Sequence, residues 1–357
     1  MSIVVDKSGP FTHGSNSVQR TMFTVLAALT PATLFNLYLF GWPAIFLFIV
    51  TMAACVACEA LCIRIAGGSD RALGDGSVLI TGWLLALSLP PWAPWWVAVV
   101  ASVFAVCLAK HAFGGLGQNV FNPAMVGRVV VLVSFPVQMT AFVPAKPLFS
   151  AGAPGFAESL HLTFGRGVNL DSLSQASPLG FVKTELARSI PVNQSMAGIP
   201  GLGDLIWGFH PGSMGETALP LILAGGLFLM WRKIISWHIP VAMLGTLFVM
   251  GTLFNMMDPA RHASGLFHLI TGASFLGAFF IATDYVTSPV SKSGQIAFGI
   301  GVGLLTWIIR TYAGYPEGVA FAVLLMNSLT PILDQHFRPR VFGRTRKGEP
   351  LPVRGDK

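Results

Sequence analysis

The feature that most constrains this chain is a series of apolar segments, each close to the ~20 residues that a helix needs to cross a bilayer. Charged residues make up only 10% of the 357 residues, and hydrophobic residues make up 53%. Soluble domains contain about 25% charged residues. Because a soluble protein cannot bury so many apolar helices, the sequence predicts a membrane protein in contact with a lipid bilayer.

Hydropathy predicts an all-α polytopic membrane protein with about ten transmembrane helices. The predicted spans are residues 22–40, 42–64, 77–91, 94–111, 122–141, 217–231, 236–254, 265–284, 294–310 and 316–334. The chain then divides into a cytoplasmic N-terminus with a first five-helix repeat (1–141), an external periplasmic loop (142–216), a second five-helix repeat (217–334) and a basic cytoplasmic tail (335–357).

The distribution of basic residues predicts the orientation in the membrane. If the N-terminus is cytoplasmic, eight basic residues of the cytoplasmic segments, Lys110 among them, and seven of the tail after Gln335 account for 15 of the 22 lysines and arginines. Arg310 is then counted on the outer face. This bias follows the positive-inside rule. We expect a bacterial inner-membrane protein with both termini in the cytoplasm, and a basic tail that anchors at the membrane instead of binding nucleic acid.

The two halves of the membrane part resemble each other. The third predicted span, GDGSVLITGWLLALSLPP, and the eighth, TGASFLGAFFIATDYVTSP, are both rich in glycine. The fifth and tenth are preceded by the glycine-containing segments FGGLGQN and AGYPEG. Since each half has five spans, the halves have opposite orientations. Such inverted repeats place binding sites near their interface.

Two sets of residues are candidates for binding on chemical grounds. Glycines 114, 115 and 117 with Asn119 and Asn122 offer either close backbone approach to a polar ligand or close helix packing. Ionisable residues at membrane depth mark either ion pathways or structural ion pairs. They are Glu59, Arg128, His268, Asp284, Glu317 and Asp334. Glu317 and Asp284 are the ion-pathway candidates.

Metal and nucleotide chemistry find no support in the sequence. Cys55, Cys58 and Cys62 share one helix face, but no fourth cysteine lies near, and packing explains them better than a metal site. Walker, Rossmann and zinc spacings are missing from the sequence. We therefore expect no metal and no catalytic residue here, and NADH oxidation would belong to another subunit.

Several long motifs resemble one protein family. GAFFIATDYVTSPVSKSGQIAFG, IRTYAGYPEGVAFAVLLMNSLTPILD and FGGLGQNVFNPAM are similar to the D subunits of the Rnf electron-transport complex. The B subunits of the sodium-pumping NADH:quinone oxidoreductase are more distant relatives. The resemblance implies a subunit of a membrane-bound ion-translocating oxidoreductase, without a complete active site of its own. This complex couples electron transfer between ferredoxin and NAD to proton or sodium translocation.

The resemblance also implies flavin cofactors and partners. Subunits of this kind hold FMN joined through its phosphate to a side-chain hydroxyl on the outer face, and a non-covalent riboflavin within the membrane part. Their partners are the other Rnf subunits, including an FMN-bearing subunit on the outer face. We expect no nucleic-acid partner.

The flavin-attachment motif of the family, S-G-A-T followed by P-L, matches Ser174-Gln175-Ala176-Ser177-Pro178-Leu179. Ser177 replaces the acceptor threonine and keeps the hydroxyl oxygen that a phosphoester needs. Gln175 replaces a glycine, and its side chain obstructs attachment if that position needs a positive φ or the close approach of a flavin transferase. A second family motif, G-S-x-G-E-T just before the sixth span, matches Gly212-Ser213-Met214-Gly215-Glu216-Thr217, and we single out Gly215, Glu216 and Thr217. We expect Ser177 to carry FMN, and Ser174, Ala176 and the second motif to support it.

Two other functions remain open at this point. A cofactor-free channel or secondary transporter would also have inverted repeats and broken helices. A scaffold that has lost its flavin site would explain the changes at Gln175 and Ser177. Covalent flavin on the denatured protein would separate both from a flavin carrier.

Overall fold

The computed structural model describes residues 17–67, 70–165 and 174–338 and residue 343. The described residues form helices and no β-strand beyond one isolated bridge between Phe142 and Gln175. In the first half lie α1 (Val18–Phe40), α2 (Trp42–Ile65), α3 (Ser77–Ser88), α4 (Trp95–Val103) with a π-helical turn at Phe104–Leu108, and α5 (Pro123–Ser134).

Five short helices follow, of which Pro178–Ala187 is named α6. The other four are Pro136–Thr140, Phe156–Phe164, Val192–Ser195 and Leu202–Trp207. The second half contains α7 (Leu219–Trp231), α8 (His238–Met257), α9 (Gly265–Ile270), α10 (Lys292–Tyr312) and α11 (Val319–His336). Between α9 and α10 lie one short turn at Ser274–Leu276 and a π-helical turn at Gly277–Ile281.

Helix starts follow signals in the sequence. The side chains of Ser17, Asn122, Ser264 and Ser291 each accept a hydrogen bond from a backbone N–H three residues further on. These capping residues satisfy donors that the first helical turn leaves unpaired. Pro123, directly after Asn122, occupies the first turn of α5, where its missing N–H costs nothing.

Five helical segments are long and apolar enough to cross a membrane: Val18–Phe40, Trp42–Ile65, Trp95–Phe113, His238–Met257 and Lys292–Tyr312. Ser77–Ser88, Pro123–Ser134 and Leu219–Trp231 are shorter apolar helices. Large apolar side chains such as Ile65 and Met256 are 78% exposed, as lipid-facing residues are. The chain is an all-α, multi-pass membrane protein. The count of ten spans and the inverted repeat stay predictions.

Three predicted spans end or break earlier than predicted. The span 77–91 ends at Ser88, before Pro90 and Pro91, and the span 122–141 ends at Ser134, before Pro136. The residue before a proline is disfavoured in helical conformation, which explains both ends. The prediction of one helix over 265–284 was wrong, because Gly272 adopts φ +67° and interrupts it.

The described residues of the segment 142–216 cover one end of the helical bundle. The Leu148 N–H donates to the Tyr38 carbonyl near the end of α1, at 2.7 Å, and the Val192 N–H donates to the Ala260 carbonyl just after α8, at 2.8 Å. We call this the loop-side end. The starts of α1 and α3 and the segment after α7 line a shared cavity at the opposite end.

One lysine of helix α6 donates hydrogen bonds to the bundle. Lys183 Nζ donates to the backbone carbonyls of Arg310, at 3.1 Å, and of Tyr315, at 3.0 Å. Burial lowers the pKa of Lys183, and the two carbonyls compensate for the water that its ammonium group has lost. This contact fixes α6 over the connection between α10 and α11.

Replacing Lys183 with glutamine should loosen α6 from the bundle. Losing charge-assisted bonds to two carbonyls should cost about 1.5–3 kcal/mol. We expect a lower thermal midpoint for the purified protein and faster protease cleavage in 142–216. The control is Arg188→Gln, which removes a surface pair with Glu185 from a side chain that is 69% exposed. If both variants behave alike, Lys183 does not anchor α6.

Candidate functional site

A buried ion pair lies at the loop-side end, where α10 meets α11. Arg310 Nη2 contacts the carboxylate of Glu317 at 3.0 Å, and both side chains are almost completely buried. Arg310 Nη1 donates to the carbonyl of His268 at 2.6 Å. A buried charge needs such partners because desolvation alone costs several kcal/mol.

Backbone amides complete the coordination of Glu317. Its Oε1 accepts from the N–H groups of Gly318, at 2.9 Å, and Val319, at 3.1 Å, while Oε2 accepts from the Ala273 N–H at 2.9 Å. Glu317 therefore sits at the N-terminus of α11, where the helix dipole favours a negative charge. Together with Arg310, these donors favour the ionised carboxylate.

Glycine at position 272 makes this coordination possible. Gly272 has φ +67°, and a Cβ built on it would collide with Glu317 Oε2 and Arg310 Nη2. The interruption of the predicted eighth span therefore has a specific consequence. It brings the Ala273 N–H and the His268 carbonyl, which a continuous helix would bond internally, to the ion pair.

Arg128 and Glu216 extend the pair into a cluster of four charges. Arg128, from α5, donates to the Ser88 carbonyl and shares a small internal cavity of about 10 Å³ with Glu317 and Ala273. Glu216 interacts electrostatically with Glu317, Arg128 and Arg310 and is only 5% exposed. We call Arg128, Glu216, Arg310 and Glu317 the charge cluster. It joins residues from both halves of the chain.

The segment that carries Glu216 is wedged between helices. Asn36 of α1 donates to the Met214 carbonyl at 2.5 Å and accepts from the Thr217 hydroxyl. A Cβ on Gly215 would collide with Leu276. Thus the predicted Gly215, Glu216 and Thr217 all lie in a tightly packed turn. Their role in flavin binding stays a prediction.

The predicted flavin-attachment residue lies beside the charge cluster. Ser177 is the N-cap of α6, and its Oγ accepts from the Gly180 N–H at 3.2 Å. Gly180 packs on Pro316, one residue before Glu317, and Leu179 packs on Gly272. The start of α6 therefore lies next to the residues that surround Glu317.

The backbone conformation of Gln175 is compatible with the flavin-attachment motif. Gln175 does not have a positive φ, and its side chain is exposed. Its N–H donates to the Phe142 carbonyl at 2.7 Å. The glycine of the family motif is thus not needed here for backbone conformation. Ser174 is half-buried and Ala176 is exposed, while Asp171, Ser172 and Leu173 of the same serine-rich segment lie outside the described residues.

Asn119 and Asn122 lie elsewhere, at the opposite end of the bundle. Both line a cavity of about 90 Å³ between the two halves of the chain, which opens to the surface. Asp284 and Lys110 line the same cavity. Asn122 also ties the halves together, because its N–H donates to Asn327 Oδ1 at 3.2 Å. The predicted cofactor-binding residues therefore lie at both ends of the bundle. Of the two ion-pathway candidates, Glu317 lies at the loop-side end and Asp284 at the opposite end.

The basic partners of the buried acids escaped prediction. Charge counting assigns Arg310 and Lys110 to the membrane surface, yet they are only 5% and 2% exposed. Lys110 Nζ contacts Glu59 at 2.6 Å and the Ser77 hydroxyl at 2.8 Å. One signal points to both residues: each lies near the end of a long apolar helix that precedes a glycine-rich segment.

The fold and this site define a multi-pass membrane protein whose two halves enclose a cluster of buried charges. A sequence profile of the NQR2, RnfD, RnfE family matches residues 5–343. The chain belongs to this family, as its motifs predicted.

Curated relatives match over nearly their whole length. The D subunit of the ion-translocating oxidoreductase complex from Stutzerimonas stutzeri is 51% identical over 94% of this chain and 95% of its own. The proteins with the same name from Halorhodospira halophila and Rhodobacter capsulatus are 47% and 46% identical. The former alignment covers 96% of this chain and 97% of the relative, and the latter 85% and 84%.

Replacing Gly272 with alanine should disrupt the ion pair. The positive φ alone should cost about 1–3 kcal/mol, and the added methyl group would push Glu317 away from Arg310. We expect a clearly lower thermal midpoint of the purified protein. Gly314→Ala is the matched control, because a Cβ there meets no described atom within 4 Å. Equal midpoints for the two variants would contradict this geometry.

Proposed function

We propose that this protein is the flavin-carrying membrane subunit of a complex that couples electron transfer between ferredoxin and NAD to proton or sodium translocation. The names of its curated relatives support the role of a subunit in an ion-translocating oxidoreductase complex. In the proposal the complex lies in the bacterial inner membrane, with both termini of this chain in the cytoplasm. Its partners include an FMN-bearing subunit on the outer face.

The single observation that carries the flavin proposal is the position of Ser177. Its hydroxyl caps α6, a helix of 10 residues. A phosphoester on this oxygen would place the phosphate at a helix N-terminus, where free N–H groups and the helix dipole favour an anion. When bound, FMN would supply the redox chemistry, and this chain would supply its position and surroundings.

The surroundings of Ser177 fit a tethered cofactor at a rim. Ser177 itself is 4% exposed, but Gln175 and Ala176 directly before it are exposed. Lys183, one turn and a half further along α6, fixes the helix to the bundle through Arg310 and Tyr315. An attached group would therefore be held by a helix that is itself immobilised.

A second, non-covalent flavin is proposed for the cavity at the opposite end. Asn119 and Asn122 provide amide groups at its wall, and Phe279 and Phe280 provide apolar surface. These groups suit the polar edge and flat ring of riboflavin. The cavity, at about 90 Å³, is smaller than the ~300–1,000 Å³ of small-molecule sites, so the ring would enter from the open mouth and displace side chains there. Because the cavity and Ser177 lie at opposite ends of the bundle, the two flavins would stand on opposite sides of the membrane part.

A cofactor-free secondary transporter is the second candidate. The interrupted helix around Gly272 and the buried charges between the halves favour it, because transporters bind ions at such breaks. The two candidates differ in one observable property, which is covalently bound flavin.

Mass spectrometry of the denatured protein tests the attachment. We expect the wild-type protein to carry the mass of one FMN less one water, Ser177→Ala to carry none, and Ser177→Thr to keep it. Thr184→Ala, which removes an exposed hydroxyl of the same helix that donates to the Gly180 carbonyl, is the control and should keep the adduct. An adduct that survives in Ser177→Ala would refute the assignment, and a wild-type protein without any adduct would favour the transporter.

A further inference from the structure

The two buried glutamates of the charge cluster are held very differently. Glu317 has a guanidinium partner and three backbone N–H donors. For Glu216, the one hydrogen bond that the described residues provide is from the Ser213 hydroxyl to Oε1, at 2.6 Å. Since hydrogen bonds to a carboxylate stabilise its charge, Glu317 stays ionised and Glu216 is the group that is easier to protonate.

The other charges near Glu216 reinforce this difference. The positive charges of Arg128 and Arg310 favour the ionised form of Glu216. The negative charge of Glu317 disfavours it and so opposes the effect of the arginines. Burial, followed by repulsion from Glu317, raises the pKa of Glu216 to about 7. Small changes in nearby charge therefore change its protonation at physiological pH.

His210 is the other titratable group that faces Glu216. A Cβ on Gly212 would lie 3.1 Å from Glu216 Oε2 and 3.4 Å from the imidazole of His210. Burial lowers the pKa of His210, so its ring is neutral at neutral pH. The helix closest to Glu216, α3, carries no ionisable side chain, and α1 presents Asn36. The protonation of Glu216 therefore depends on Arg128, Arg310 and Glu317, while the neutral ring of His210 adds no charge.

The position of the cluster links this proton to the flavin site. Helix α6 packs on Gly272 through Leu179 and on Pro316 through Gly180, while Ser177 starts the same helix. Ser177, Arg310 and Glu317 are all buried. Charges interact more strongly in buried surroundings than in water, so a negative charge on a flavin attached at Ser177 would act on the charge cluster.

We propose that Glu216 is the proton acceptor of the charge cluster, and that it would take up a proton when the flavin proposed at Ser177 gains one electron. The electron comes from the flavoprotein partner on the outer face, and the proton comes from water at the loop-side end. The carboxylate becomes a carboxylic acid, so the added negative charge is balanced. This inference rests on the proposed flavin at Ser177. It assigns to Glu216 the role of balancing the charge that this flavin gains on reduction.

Infrared titration tests the protonation of Glu216 independently of flavin. In Ser177→Ala protein, a carboxylic-acid C=O band should appear as the pH falls through about 7. The band should be missing in Ser177→Ala/Glu216→Gln and persist in Ser177→Ala/Glu185→Gln. Ser213→Ala should move its midpoint to higher pH, because the anion loses its hydroxyl donor. A band unchanged by Glu216→Gln, or a midpoint unmoved by Ser213→Ala, would overturn the assignment.

A redox titration tests the coupling. The potential to measure is that of the flavin that Ser177→Ala removes from the complete complex. Its midpoint potential should fall with rising pH near neutrality in the wild type, and this dependence should be weaker in Glu216→Gln. His210→Gln serves as a comparison and should keep it. An unchanged pH dependence in Glu216→Gln would overturn the coupling. A wild-type protein without covalent flavin would instead refute the proposed function, while the infrared result would still decide whether Glu216 titrates.

Discussion

The structure depends on one buried interaction, the pairing of Arg310 with Glu317. Two charges cannot remain in an apolar interior unless each polar atom finds a partner. That requirement explains why Gly272 interrupts a helix, why the Ala273 N–H turns inward and why the His268 carbonyl is free to accept from Arg310. Helix α6 packs against residues next to this ion pair. The position of the flavin motif at the start of α6 therefore depends on the ion pair.

The two ends of the bundle each contain a buried ion pair, built from different residues. At the loop-side end, Arg310 closes α10 and meets Glu317 at the start of α11. At the opposite end, Lys110 follows α4 and meets Glu59, and the capping residue of α5 is Asn122. Each end thus combines a buried cation with a buried carboxylate, Glu317 at the start of α11 and Glu59 near the end of α2. One end lies under Ser177, and the other borders the cavity between the halves.

The apolar segments of the sequence predicted the positions of most helices, because a helix that faces lipid is apolar along most of its length. The break at Gly272 escaped prediction, since a lone glycine in an apolar run does not reveal that a distant carboxylate needs its space. Arg310 and Lys110 were misplaced for a similar reason. Charge counting treats a basic residue near a span end as exposed, and only the fold shows that Glu317 and Glu59 are their buried partners.

Arg310 and Glu317 act as one unit, and a double-mutant cycle measures this most directly. The cycle uses thermal unfolding of Arg310→Met, Glu317→Met and the double variant in the purified complex. Breaking a buried pair from one side typically costs about 3–5 kcal/mol, because a charge is left without its partner. We expect the double variant to be at least as stable as either single variant. Additive losses would mean that the two residues stabilise the fold separately, and would contradict the pairing as the interaction on which the site depends.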